Sequence, residues 1–137
     1  MMNTMPDSSI KTNPQKAYQQ VSVQTAPPEK LLIMLYSAAI KNLQQGKKAI
    51  EDKQFDLASK SLCKVQDILA ELNNSLNMEK GGQIAANLRA LYEFYEGEVI
   101  KANLKKDPSY LQPVLEFLQS YRDMWIEAAK IVRMGAK

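Results

Sequence analysis

Gln54–Met78, QFDLASKSLCKVQDILAELNNSLNM, decides the fold. Its apolar residues Phe55, Ala58, Leu62, Val65, Leu69, Leu72 and Leu76 are separated alternately by three and four positions. An α-helix turns once in about 3.6 residues, so this alternation draws one stripe along one side of a helix. Stripes of that period pack at the shallow angle of a left-handed bundle.

Working outward, the same signal recurs three times. Upstream, a helix is predicted from about Pro27 to Glu51, with Leu32, Tyr36, Ala39, Leu43 and Ile50 on one face. Gly46 inside it is a weak point, costing about 1 kcal/mol relative to Ala. Asp52-Lys53-Gln54 makes the connection. Downstream, Gly81-Gly82 ends the central helix near Met78, glycine being suited to the left-handed C-terminal position. A third helix follows from Gln83 to Lys106, with Ile84, Leu88, Leu91, Tyr95, Val99 and Ala102 inward. Lys101, Lys105 and Lys106 lie at its negative end, where the helix dipole favours them. Asp107-Pro108 caps and opens a fourth helix that reaches Val132, with Leu111, Val114, Leu118, Tyr121, Trp125, Ala128 and Val132 in its seam. Short connections make neighbouring helices antiparallel. The predicted class is all-α: an antiparallel up-down-up-down four-helix bundle over residues 27–134. Residues 1–13 read as a disordered N-terminus and 14–26 as a short N-terminal arm.

The arm carries Tyr18, Val21 and Val23 and then meets Thr25-Ala26-Pro27-Pro28-Glu29. Thr25 suits a helix cap, the prolines a first turn, and Glu29 the positive end of the dipole. The segment is too short to be a core helix. It has enough apolar surface to lie on a greasy face and leave it again.

Composition excludes much. Of 137 residues, 45% are hydrophobic and 24% charged, the balance of a globular domain. The net charge of +3 is spread without a basic stripe, so a nucleic-acid partner is not expected. No apolar run approaches the roughly 20 residues of a membrane span, so no direct membrane insertion is expected. The start, MMNTMPDSSIKTN, lacks the apolar region of a secretory signal. The lone Cys63 fits a reducing compartment and reads as an inert, partly buried thiol. The absence of histidine removes Ser-His-Asp and Cys-His catalysis and the usual Cys/His zinc sites. There is no G-x-G-x-x-G and no Walker loop. No enzyme activity, metal or cofactor is therefore expected.

The functional clue is apolar surplus. Outside the seams lie Leu31, Met34, Leu35 and Ile40, then Ile68, then Tyr92, Phe94 and Ile100, then Leu115, Phe117, Met124 and Ile131. Some of these widen the core stripe, as bundle helices require. Together they leave room for a groove that receives a partner's amphipathic helix, with the arm around Tyr18 as a removable cover. Trp125 reads as core and Tyr95 as core edge. The alternative is a helical adaptor, or a structural bundle that dimerises through the surplus and has no client.

Several ordered pieces carry a resemblance: Ala17-Tyr18-Gln19-Gln20, Thr25 through Leu31, Met34-Leu35-Tyr36, Lys64 through Leu69, Glu71-Leu72-Asn73, Ser75-Leu76-Asn77, Gly81 through Ala85, Asn87-Leu88, Leu91-Tyr92, Ala102-Asn103, and Arg122-Asp123 with Trp125. With these pieces, in this order from about Pro14 to Ala129, the chain resembles the flagellin-specific export chaperones of the FliS family. Ser37-Ala38 departs from the acidic residue and glycine frequent there, a helix-surface change. The resemblance implies a cytoplasmic chaperone that binds the C-terminal segment of flagellin, prevents premature polymerisation and delivers it to the flagellar type III export apparatus. It implies as partners flagellin and the cytosolic domain of the export-gate membrane protein, and leaves room for another cytoplasmic flagellar regulator. The candidate client-binding residues are Tyr18 on the arm, Ile68 and Leu72 on the second helix, and Leu88 and Tyr92 on the third. Leu72 and Leu88 also belong to core seams.

Overall fold

A computed structural model describes residues 28–135, and it is helical throughout, with four long helices and no strand among them. They are α1 (Pro28–Glu51), α2 (Phe55–Asn74), α3 (Met78–Lys105) and α4 (Leu111–Gly135), with a 3₁₀ turn at Pro108–Tyr110 before α4. The expectations for residues 1–13, for the arm at 14–26 with Tyr18, for the Thr25 cap and for Pro27 lie outside the described residues.

Side-chain contacts give the directions. Ser59 on α2 donates to Asn103 on α3 at 3.0 Å, and Asn73 donates to Glu93 at 3.5 Å. Numbers that rise on α2 fall on α3, so the two run antiparallel. The pairs Lys105–Tyr110 and Tyr95–Phe117 say the same of α3 and α4. The core collects Tyr36, Leu43, Leu62, Val65, Leu69, Leu72, Tyr92, Val99, Leu111, Val114 and Leu118, all essentially without solvent contact. The seam of α2 is buried from Ala58 to Leu72, whereas Phe55 at its start is exposed.

The helix ends differ from the sequence reading. α2 stops at Asn74, where the Ser75 hydroxyl donates to the Leu72 carbonyl at 2.8 Å. Asn77 caps α3 by accepting from the Lys80 N–H at 2.9 Å. Gly82, at φ 53 and ψ −131, then breaks α3 after its first turn. That backbone region is open only to glycine, so the glycine pair shapes the start of α3 instead of ending α2. The left-handed residues that end α1 and α3 are lysines, Lys53 at φ 59 and Lys106 at φ 53. Each end is closed by a six-to-one hydrogen bond, from Gln54 to Ala49 at 2.8 Å and from Asp107 to Ala102 at 3.1 Å.

Gly46 is also more than a weak point. A Cβ there would lie 2.6 Å from Leu62 Cδ2 and 2.9 Å from Leu62 Cγ. Leu62 is fully enclosed and has nowhere to go, so the glycine lets α1 and α2 approach closely.

Candidate functional site

The α3–α4 side of the bundle is built unlike the others. The backbones of α3 and α4 approach at far fewer points than those of α1 and α2. Aromatic rings fill the wider gap. Phe117 on α4 stacks on Tyr95 of α3 at 4.5 Å between ring centres and meets Tyr92 edge-on at 6.1 Å. Tyr121 leans on Phe117 at 4.7 Å, and Phe94 meets Tyr95 edge-on at 5.2 Å. Offset and edge-on ring pairs of this kind each add about 0.5–1.5 kcal/mol beyond area burial.

Helical spacing carries this seam out to the surface. Residues seven apart lie almost in line on a helix. Phe117, Met124 and Ile131 therefore form one row on the side of α4 that faces α3. Ile84 and Leu91 form the answering row on α3. Phe117 is buried, but Met124 is half exposed and Ile131 is 66% exposed. Ile84 is 72% and Phe94 58% exposed. The row from Phe117 to Ile131 is about 21 Å long at 1.5 Å per residue. The result is a shallow apolar groove, rooted in stacked rings and open toward the end of the bundle away from the α3–α4 connection.

Beneath the groove sits a polar island. The Tyr36 and Tyr92 hydroxyls are 2.6 Å apart and buried. Burial pushes both phenols above their ordinary range, and the hydrogen bond with Tyr36 raises Tyr92 further. The Trp125 indole N–H acts on Tyr36 in the opposite sense. Its geometry falls short of a hydrogen bond, so Nε1 is buried without a partner. The hydroxyl pair thus ties α1 to α3, with the Trp125 indole of α4 close by and unbonded.

The expected client residues do not fall in one place. Tyr92 is 2% exposed and Leu88 is buried, so both lie under the groove, not on its rim. Leu72 is enclosed in the core. Ile68 is half-buried at the core's edge. It is nine residues from Ser59, hence half a turn round α2 from the side that reaches α3. Tyr18 lies outside the described residues. Of the residues placed in seams by sequence, Ile84 and Val132 are exposed, and Ala85 and Ala129 are buried instead. Cys63 is exposed, not partly buried, because its position in α2 falls outside the buried stripe.

Among the described residues, no group of three or more His, Cys, Asp or Glu gathers to hold a metal ion, and no helix is long and apolar enough to cross a membrane.

Comparison with known proteins agrees. The family model described as flagellar protein FliS matches residues 11–132. The flagellar secretion chaperone FliS of Bacillus subtilis is 35% identical over 121 residues, covering 88% of this chain and 90% of that protein. That of Vibrio cholerae is 38% identical over 114 residues, covering 80% and 84%. That of Salmonella typhimurium is 32% identical over 115 residues, covering 80% and 85%. These relatives are named as chaperones and not as enzymes. With four long helices among the described residues and a family match over residues 11–132, this chain belongs to the FliS family of flagellar proteins.

Proposed function

We propose that this protein is a cytoplasmic flagellar export chaperone that holds the C-terminal segment of flagellin on the α3–α4 groove. The observation that carries the site is the set of exposed apolar residues Ile84, Phe94, Met124 and Ile131 around the stacked rings of Tyr95 and Phe117. A client helix with apolar residues at three- and four-residue spacing fits such a surface. Methionine and aromatic side chains adapt to more than one apolar surface. Covering the client's apolar face keeps it from polymerising before export. The complex is then delivered to the cytosolic domain of the export gate.

Leu88 and Tyr92 support the groove from below, and Leu72 holds α2 against that floor. Ile68, with Leu35 on α1, offers a second half-buried strip on which a longer client can continue. Tyr18 belongs to the cover that the client displaces. The client is disordered when free, so the entropy of ordering it offsets part of the burial gain and keeps the complex reversible.

Titration with a peptide covering the C-terminal region of the organism's own flagellin tests this reading, followed through the single Trp125 and by calorimetry. One-to-one binding with a large negative heat-capacity change is expected. A folded protein that ignores the peptide and sediments as a stable dimer would instead establish the adaptor reading.

A further inference from the structure

A second face of α3 is organised differently. The contacts of Ser59 with Asn103 and of Asn73 with Glu93 fix which residues border the seam between α2 and α3. On α2, Ser59, Cys63 and Asp67 follow one another at four-residue steps along this side. On α3, Glu96, Ile100 and Leu104 do the same, with Glu93 seven residues before Ile100. The face is apolar at one end and acidic at the other. Leu104 is 79% exposed, and Ile100 and Phe55 are exposed beside it. The Lys106 amine does not neutralise the acidic end. It is held at Asn103 Oδ1 (2.7 Å) and Ser59 Oγ (2.9 Å), 5.8 Å over the Phe55 ring.

At the acidic end, Asp67, Glu93 and Glu96 make no ion pair with any described residue. Arg89 is one turn from Glu93 and does not bridge to it. Partial burial, then the charges of Glu93 and Asp67, hold the Glu96 carboxyl above the usual carboxylate range. Asn73 Oδ1 is buried beside them without a donor. Among the described residues, no cation pairs with these carboxylates or the amide oxygen, which lie one to three turns from an exposed apolar patch.

We propose that this α2–α3 face is a second docking surface, for a helical segment of a protein partner that carries Lys or Arg at one end and Leu- or Ile-sized side chains at the other. Charge complementarity selects the occupant. The carboxylates repel nucleic acid and anionic lipid, and a wholly apolar segment leaves them unpaired. Glu93 and Leu104 are eleven residues apart, about 16 Å along the helix, so the partner's basic and apolar positions are separated by about three turns. The surface borders α2, on the other side of α3 from the Tyr95–Phe117 stack, and its use does not depend on the client reading.

Cys63 provides the readout, being the single cysteine, exposed, and midway along the face. The probes are two synthetic helical peptides, one with a leucine pair followed three turns later by a lysine pair, the other with glutamates in place of those lysines. The lysine peptide is expected to slow alkylation of Cys63 at least fivefold, and added salt to reverse the effect. The glutamate peptide is expected to leave alkylation unchanged. Glu93→Gln with Glu96→Gln, and separately Leu104→Ser, should each weaken lysine-peptide binding at least fivefold while circular dichroism and melting show the bundle intact. Equal protection by both peptides, protection by neither, or indifference to the glutamine pair would overturn the proposal. A flagellin peptide seated between α3 and α4 leaves Cys63 reactive, so failure here is distinguishable from failure of the client groove.

Discussion

Removing either hydroxyl of the Tyr36–Tyr92 pair should cost stability, and removing both should cost less than the sum of the two single losses. The two oxygens are 2.6 Å apart in the core, where no water competes. Tyr36→Phe leaves the Tyr92 hydroxyl buried without its partner, and Tyr92→Phe does the same to Tyr36. A buried polar group left unsatisfied costs about 1–3 kcal/mol, so a loss in that range is expected of each single variant. The double variant leaves neither hydroxyl stranded, so its loss falls below the sum of the two, with a coupling of about 1 kcal/mol. Urea unfolding followed by helical circular dichroism and by Trp125 fluorescence measures all four corners of the cycle. For a domain of this size each kcal/mol moves the melting temperature by about 4 °C, well within detection. Strictly additive losses, or a Tyr36→Phe variant as stable as the parent, would refute the reading of the two hydroxyls as a mutually satisfied buried pair.

Other outcomes follow from the same structure. Gly46→Ala, ordinarily favourable in a helix, should destabilise by about 1–3 kcal/mol because its Cβ meets Leu62 at 2.6 Å; a more stable variant would show that α1 and α2 can separate freely. Lys53→Gly should stabilise by about 0.5–1 kcal/mol by relieving the left-handed backbone, whereas Lys106→Gly should gain nothing, since it also releases Ser59 and Asn103. Equal responses of the two lysines in thermal melts would contradict the Lys106 clamp. The folded state holds the Tyr36 and Tyr92 protons more tightly than the unfolded chain, whose ordinary value is 10.0. Their contribution is therefore fully present below pH 10 and lost as pH rises through the raised folded values, so the double Phe variant should lose stability less steeply above pH 10 than the parent.

The sequence is legible where one helix face alone decides burial. The strict three-four alternation of α2 places Ala58, Leu62, Val65, Leu69 and Leu72 in the core, where they are found. α3 is harder because apolar residues stand side by side, Leu91 with Tyr92 and Phe94 with Tyr95. Periodicity admits either phase. What selects Tyr92 for the interior is a hydroxyl on α1, fifty-six positions away, which no local window contains. Phe117 is similar, since it is drawn inward to fill a gap that exists only because α3 and α4 stand apart. The two left-handed lysines carry no composition signal, because glycine is the usual mark of such ends. The candidate groove was half legible. The surplus residues Phe94, Met124 and Ile131 were visible as excess, but only the packing separates them from Ile40, Tyr92 and Phe117, which the core absorbs.

Phe94 offers the most direct test of the α3–α4 client groove. It is 58% exposed, its neighbours Tyr95 and Phe117 are held by stacking, and truncating it disturbs little of the core. Burying the exposed part of such a ring contributes about 1.5 kcal/mol, roughly a tenfold change in affinity. Calorimetric titration of Phe94→Ala with the flagellin C-terminal peptide should show that loss, with the melting curve of the free protein unchanged. Unaltered affinity in a folded variant would contradict the account and place the client elsewhere on the bundle.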